Sequence, residues 1–485
     1  MTRPGNNAAA APRPFGMRDR IGYMFGDFGN DFTFILQAMF FTLFYTNVIG
    51  IDPIHVGILL LVARVVDGFT DVGMGVLVDR LPLKEGADKF RRWIKWIAIP
   101  VAVASTLMYM SFVADFTSYT AKIVWMCATY FLWGSICYTA INIPYGSMAS
   151  VISADPNHRA QLSVWRSTGA NLAVLLISSV LPLVVYTKNA EGVAVLDGSM
   201  MTYSAIFCSV AAVICYAVLY VFSVERVKSQ PNAEGAGAQK QPSIGKMLVS
   251  VVSNKALLGL IVAALLLLLA NLFLTGMLGY LFLNWFGNGK LQSPASMAGM
   301  LPAFVLIVLA PWLAKRFGKA EVGAIAMLVG GVVLVAAYFL KIENAMLWIV
   351  FYSVAMFCIA IFNFLVWAFI TDVIDDQEVR TGNRDDATVY AVYSWARKLG
   401  QALAGFLTTW ALSFVGFDSA IAKEGGQQAQ SVIDGIYTFG NLVPGVGCIL
   451  VGLALMFLYP LKKKRVVENE KILEARRAEK AAAHA

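Results

Sequence analysis

The chain has 485 residues, of which 58% are hydrophobic and 14% are charged, and its formal net charge is +8. Soluble proteins carry roughly 25% charged residues, so this composition cannot form a water-exposed surface around a core and excludes a soluble enzyme. The apolar segments are about 20 residues long or longer, which is enough to cross a hydrocarbon core of ~30 Å.

Hydropathy divides the chain into twelve candidate spans, so we predict an all-α polytopic membrane protein. One polar stretch, rich in Gly, Pro, Gln and Lys, separates the first six spans from the last six. In chain order, the predicted spans cover residues 20–48, 54–80, 93–114, 120–150, 162–187, 199–224, 255–286, 294–315, 320–340, 344–373, 387–416 and 434–460.

This pattern predicts two six-helix bundles, with a site between them near the middle of the membrane. Five segments follow from it: a disordered cytosolic N-tail over 1–19, an N-terminal bundle over 20–224, a cytosolic linker over 225–254, a C-terminal bundle over 255–460 and a basic cytosolic C-tail over 461–485.

Most of the 38 Lys and Arg residues lie in the tails and in the loops on one side of the predicted spans. Because cytosolic loops are enriched in Lys and Arg, this bias predicts a multi-pass protein of a bacterial cytoplasmic membrane with both termini in the cytosol. The positive charge therefore reflects topology. We expect a monomer whose partners include membrane lipid and exclude nucleic acid.

The second span contains charged residues in the middle of an apolar run. Arg64, Asp67 and Asp71 are spaced three and four residues apart, so they share one helix face. Each charge at the bilayer centre costs about 2.5–3.5 kcal/mol, which predicts that this face lines an aqueous cavity. We interpret Asp67 and Asp71 as a site for Na⁺ or H⁺, since a bound cation relieves the repulsion between the carboxylates. The alternative is a salt bridge that only joins helices.

The first span repeats this spacing with Asp27 and Asp31 in "FGDFGNDF". Carboxylates at this depth indicate hydrogen bonding to a polyhydroxylated solute, although Asp27 alone could be an interfacial carboxylate. In the fourth span, Trp133 and Asn142 precede Pro144, which leaves a backbone carbonyl without its usual donor. An indole beside an amide is typical of a sugar site, and ordinary helix packing is the alternative.

Four motifs together resemble the glycoside–pentoside–hexuronide:cation symporters, the melibiose-permease group of the major facilitator superfamily. They are "VARVVDGFTD", "FGNDF", "TYFLWG" followed by "NIP", and "YSWARKLG", and the similarity extends from about residue 20 to 465. The resemblance implies the fold of that superfamily, and symport of a small glycoside, pentoside or hexuronide with a cation by alternating access.

The resemblance also implies roles for single residues. Asp67 and Asp71 would hold the cation, with the neutral oxygens of Thr70 and Thr139 nearby. The substrate-contacting residues that it implies are Asp31, Trp133, Asn142, Arg166, Asn363 and Lys398.

Two positions depart from the melibiose carriers. Asn142 stands where those carriers have an acid, and Gly146 stands where they have a stacking aromatic residue. Melibiose is therefore not the expected substrate, while a hexuronide, a pentoside and a glucoside all remain open.

The tenth span ends in acidic residues, although the other loops on that side are basic. Asp372 and Asp375 share a helix face, and the resemblance places Arg159 opposite Asp372 with Arg384 close by. We predict that Asp372 pairs with Arg159 only when the cytosolic side is closed.

Other function classes have less support. The chain has no "GxxxxGK[ST]" motif for ATP-driven transport, and its loops are too short for a catalytic domain, so we do not expect an enzyme. No cofactor is expected, and no metal beyond a possible Na⁺ at Asp67 and Asp71. The alternatives are a carrier of lysolipid or another amphiphile on the same fold, and a sugar receptor without transport.

Overall fold

The computed structural model describes residues 13–81, 88–227, 254–381 and 386–483. Twelve of the helices that these residues form overlap the predicted spans one to one. Their bounds are α1 Met17–Ile49, α2 Pro53–Arg80, α3 Arg91–Leu107, α4 Tyr119–Ile152, α5 Pro156–Val185, α6 Gly198–Phe222, α7 Lys255–Trp285, α8 Gln292–Phe317, α9 Lys319–Leu340, α10 Ala345–Thr381, α11 Asp386–Phe414 and α12 Gln430–Leu458.

Nine helices in the described residues are long and apolar enough to cross a membrane. The remaining long helices are α2, α8 and α11, and α2 contains the charged face that the sequence analysis singled out. The fold prediction of two sets of six helices therefore matches the helix order.

Three helix ends lie more than five residues from the predicted bounds. Helix α3 ends at Leu107 rather than at 114, and a short 3₁₀ helix over Ser111–Asp115 follows it. Helix α5 begins at Pro156 rather than at residue 162, because the Asp155 side chain caps it by accepting from the Asn157 amide at 2.8 Å. Helix α10 continues to Thr381 rather than ending at 373, because its last turns pack against a further helix, α13 (Lys463–Ala483).

The N-tail contains more helix than predicted. Helix α1 begins at Met17, so residues 17–19 are helical, and the fully buried Asp19 accepts from Arg226 at 2.9 Å and from Arg13 at 3.0 Å. Residues 1–12 and 228–253 lie outside the described residues, so the remainder of the predicted N-tail and linker stays a prediction. The basic C-tail forms α13, in which Asn469 donates to Asp376 at 3.0 Å.

The first six helices form the N-half and the next six the C-half. A short antiparallel hairpin, Tyr186–Lys188 paired with Ala194–Leu196, joins α5 to α6. The halves pack together chiefly through α2 against α11 and α5 against α8.

Hydrogen bonds join the halves at one end of the molecule, where α1 and α7 end. We call this end the closed face and the end that contains α13 the terminal face. The hydroxyl oxygens of Thr46 and Tyr280 are 2.7 Å apart, and the Tyr186 hydroxyl donates to Gln292 Oε1 at 2.6 Å. The Ser419 hydroxyl donates to the Ile51 carbonyl at 2.9 Å. Away from this face, Gly146, Ser147 and Asn363 are exposed.

Candidate cation and solute site

The predicted cation residues lie where α2 faces α4. The Ser135 hydroxyl donates to Asp67 Oδ1 at 2.6 Å, and the Thr139 hydroxyl donates to Asp71 Oδ1 at 3.0 Å. Asp67 and Asp71 are four residues apart on α2, and Ser135 and Thr139 are four residues apart on α4. Successive turns of the two helices therefore form one hydroxyl–carboxylate pair each. Both hydroxyl-bearing residues are only 5% exposed. The site is therefore two carboxylates, each with a buried hydroxyl donor.

A π-helical turn, Leu132–Tyr138, explains how α4 presents these hydroxyls. Such turns add a residue to an α-helix and are frequent at functional sites. Ser135 lies inside the turn and Thr139 follows it. The sequence analysis included Thr139 but missed Ser135, and the available signal was a hydroxyl residue one turn before Thr139.

The other charged and hydroxyl residues of α2 have different partners. Arg64 Nη1 is 3.8 Å from Asp67 Oδ2, and the two side chains are 28% and 20% exposed. The Arg64 guanidinium also lies 5.9 Å from the centre of the Phe34 ring. The Thr70 hydroxyl donates to the backbone carbonyl of Asp67 at 3.2 Å, and its predicted place beside the cation stays a prediction.

A second charged group joins α1 to α5. Arg166 Nε donates to Asp27 Oδ1 at 3.1 Å, and the guanidinium lies 5.3 Å from the centre of the Tyr145 ring. Arg166 is 38% exposed, and the adjacent Gly146 has no side chain to cover it. Asp31, one turn further along α1, is half-buried. The group therefore presents a charged, partly accessible surface for a solute.

Asn142 belongs to a chain of hydrogen bonds that the sequence analysis did not identify. Asn30 donates to Asn142 Oδ1 at 3.3 Å, and the Tyr216 hydroxyl donates to Asn30 Oδ1 at 2.8 Å. Asn30 is 1% exposed, so this chain fixes the position of the Asn142 amide from inside the N-half. The available signal was the amide between Asp27 and Asp31 in the first-span motif.

Trp133 is placed differently from the other predicted substrate residues. It is 2% exposed, and its ring lies 5.2 Å from the Tyr138 ring and 5.9 Å from the Tyr130 ring. Its buried indole N–H has no hydrogen-bond partner in the part of the chain that the structure describes. In this structure Trp133 therefore packs inside the N-half.

The C-half contributes fewer described side chains. Asn363 on α10 is exposed. Lys398 belongs to α11, but its side chain lies outside the described residues, as does the whole of Arg384. Their predicted roles stay predictions.

The two residues of the predicted gate pair each have another partner. Asp372 Oδ1 accepts from Lys319 Nζ at 2.6 Å, and Arg159 Nε donates to the Ser153 carbonyl at 2.9 Å. Asp375 is half-buried on the next turn of α10. The pairing of Asp372 with Arg159 was predicted for a state closed at the terminal face and stays a prediction.

Within the described ranges, no group of three or more His, Cys, Asp and Glu side chains could hold a metal ion. The two carboxylates and two hydroxyls on α2 and α4 are all oxygen donors. Such a set suits a hard cation rather than a metal that prefers nitrogen or sulfur ligands.

Comparisons with known proteins identify relatives over almost the whole chain. The "Uncharacterized symporter YjmB" of Bacillus subtilis (strain 168) is 29% identical over 447 residues, which is 92% of each chain. The "Glucuronide carrier protein homolog" of Escherichia coli (strain K12) is 27% identical over 453 residues, covering 93% of this chain and 94% of that protein.

Among solved structures, the nucleoside transporter NupG superimposes with a TM-score of 0.58 at 11% identity, covering 92% of this chain and all of that one. At this identity the match shows the fold alone, and that fold is the one predicted from the sequence. The family model for MFS/sugar transport proteins matches residues 22–463. The resemblance drawn from the four sequence motifs is thereby confirmed, as is the expectation of a membrane transporter rather than an enzyme. The chain belongs to the family of MFS/sugar transport proteins, a multi-pass group within the major facilitator superfamily.

Proposed function

We propose that the protein is a secondary active transporter that moves a small glycoside, pentoside or hexuronide together with Na⁺ or H⁺ by alternating access. The observation that supports this most directly is the matched pair of carboxylates and hydroxyls on α2 and α4. Two carboxylates on adjacent turns repel each other when both are ionised, so their occupancy by a cation can bias the conformation of the helix pair.

The residues beside the cation site suit a polyhydroxylated solute. Arg166, Asp27 and Asn142 provide donors and acceptors on three different helices of the N-half. A partly exposed guanidinium also suits a carboxylate or another anionic substituent on the sugar. One relative is named a glucuronide carrier protein homolog, and this name is consistent with such a substrate.

The arrangement of the two halves suits alternating access. The hydrogen bonds at the closed face hold one end of the molecule together. We infer from the Lys and Arg bias that both termini lie in the cytosol of a bacterium, so that the closed face is periplasmic. The structure then corresponds to an inward-open state, in which Asp372 bonds to Lys319 instead of Arg159.

Uptake by purified protein in lipid vesicles tests this function. We expect a labelled glycoside, pentoside or hexuronide to accumulate inside the vesicles when an inward Na⁺ or H⁺ gradient is imposed, and only to equilibrate without one. A panel of neutral and acidic sugars identifies the substrate, and a labelled lysolipid tests the amphiphile alternative. Binding of a sugar without accumulation under either gradient would indicate a receptor and contradict the proposal.

Asn142→Asp tests the solute site. Asp is close to Asn in shape and can still accept the hydrogen bond from Asn30, so we expect the fold to be retained. The added negative charge repels an acidic sugar, so the ratio of KM for a hexuronide to KM for a neutral glycoside should rise about tenfold. Competition uptake measures this ratio, and Ser147→Ala, at an exposed position of α4, is the control. An unchanged ratio would place Asn142 outside the solute site.

A further inference from the structure

The cation site contains an oxygen donor that neither the sequence motifs nor the family match assigns. Ser135 Oγ is 2.6 Å from Asp67 Oδ1, the shorter of the two hydroxyl–carboxylate hydrogen bonds in the site. We propose that the Ser135 hydroxyl is a ligand of the coupling ion and makes the site select Na⁺ over H⁺; this proposal rests on the proposed cation-coupled transport.

The orientation of the hydroxyl supports a ligand role. A hydroxyl group has one hydrogen to donate and two lone pairs that accept. The Ser135 hydrogen points to Asp67, so its lone pairs remain for a cation lying between the carboxylates. Thr139 is arranged in the same way toward Asp71, although its hydroxyl also lies 3.2 Å from the Gly134 carbonyl. A cation at this position would have four side chains supplying oxygen, two charged and two neutral.

The carboxylates and the hydroxyls of the proposed ion site differ in burial. The hydroxyl-bearing residues are 5% exposed, whereas the Asp67 side chain is 20% exposed. An ion that enters from water therefore reaches the carboxylates first and meets the hydroxyls at the inner wall. There the ion has lost water ligands, and each protein oxygen that replaces one contributes to its affinity.

The chemistry of the two candidate ions explains the selectivity. A proton binds one carboxylate oxygen, and the resulting O–H group donates to at most one further oxygen. Na⁺ is a hard cation and needs several oxygen ligands at once. Ser135 supplies one of these oxygens, so its hydroxyl contributes more to Na⁺ binding than to H⁺ binding.

Na⁺ activation of sugar uptake tests this role. In Ser135→Ala we expect the Na⁺ concentration for half-maximal uptake to rise about tenfold, the effect of losing one hydrogen-bonding partner of a charged group. Ser135→Thr retains the hydroxyl and should keep the value within about threefold of the unmodified protein. Cys137→Ala is the matched control, because it removes a buried side-chain atom from the same π-helical turn, and its Na⁺ curve should not change.

The variants also separate this inference from the proposed function. Ser135→Cys keeps the size of the side chain and replaces the oxygen by sulfur, so it decides the question if the Ala variant does not fold. The inference is overturned if the Cys and Thr variants share one Na⁺ curve, or if the unmodified protein accumulates sugar with an H⁺ gradient and ignores Na⁺. If instead the unmodified protein accumulates no sugar under either a Na⁺ or an H⁺ gradient, the proposed function itself fails.

Discussion

Asp71→Asn is expected to abolish cation-driven accumulation of sugar, and Asp67→Asn is expected to do the same. Each change removes one of the two negative charges that hold the ion, and an amide cannot replace a carboxylate as a charged ligand. The fold should survive, because the amide oxygen can still accept from Thr139 or Ser135 at the same distance. Exchange of labelled for unlabelled sugar should partly persist, since Arg166 and Asn142 lie on other helices.

The measurement compares two assays on the same vesicles. Accumulation under an imposed Na⁺ or H⁺ gradient should fall to the level of passive equilibration, while exchange without a gradient remains detectable. Asp52→Asn is a matched control on the same helix, because Asp52 caps the start of α2 at 3.0 Å from the Ile54 amide and Asn caps helices equally well. Full accumulation by both site variants would remove Asp67 and Asp71 from the coupling mechanism.

The sequence predicted the elements of this site well but not their partners. Twelve spans follow from hydropathy, and the cost of charges in lipid identifies the face of α2 that must line a cavity. Both inferences use the sequence of a single helix and no knowledge of its neighbours. Ser135 and Asn30 were missed because their importance depends on which residue of another helix they face, and the π-helical turn that orients Ser135 has no reliable sequence signal.

The resemblance to a family had a similar limit. It correctly indicated the fold and the class of protein, but it gave no information on the neighbours of single side chains, such as the packing of Trp133 against Tyr130 and Tyr138. The predicted pairing of Asp372 with Arg159 concerns a state closed at the terminal face, and in this structure Asp372 accepts from Lys319. The contacts at a gate change between the conformational states of a transporter. A sequence motif is the same in every state, so it does not specify the contacts of one of them.

Gly57→Ala is expected to open the closed face and to lower transport about tenfold or more. Gly57 lies on α2 where it meets α11, and a Cβ atom at this position would collide with the hydroxyl of Thr409 and contact Phe406 at 3.4 Å. Thr409 is fully buried, so the contact cannot be relieved toward solvent. Overpacking of this kind costs about 1–3 kcal/mol, which corresponds to a roughly 5- to 150-fold shift between two states.

The matched control separates this contact from any general effect of the substitution. Gly75→Ala adds the same methyl group to the same helix, where a Cβ atom has no neighbour within 4 Å. Replacing Gly by Ala stabilises a helix by about 1 kcal/mol. A loss of transport in Gly57→Ala therefore cannot come from a weakened α2. The reporter is Ser419→Cys, since Ser419 is buried at the closed face and its hydroxyl donates to the Ile51 carbonyl. Its rate of modification by a water-soluble thiol reagent should rise several-fold with Gly57→Ala and stay unchanged with Gly75→Ala. Equal rates in the two variants would show that the contact between α2 and α11 does not hold the closed face together.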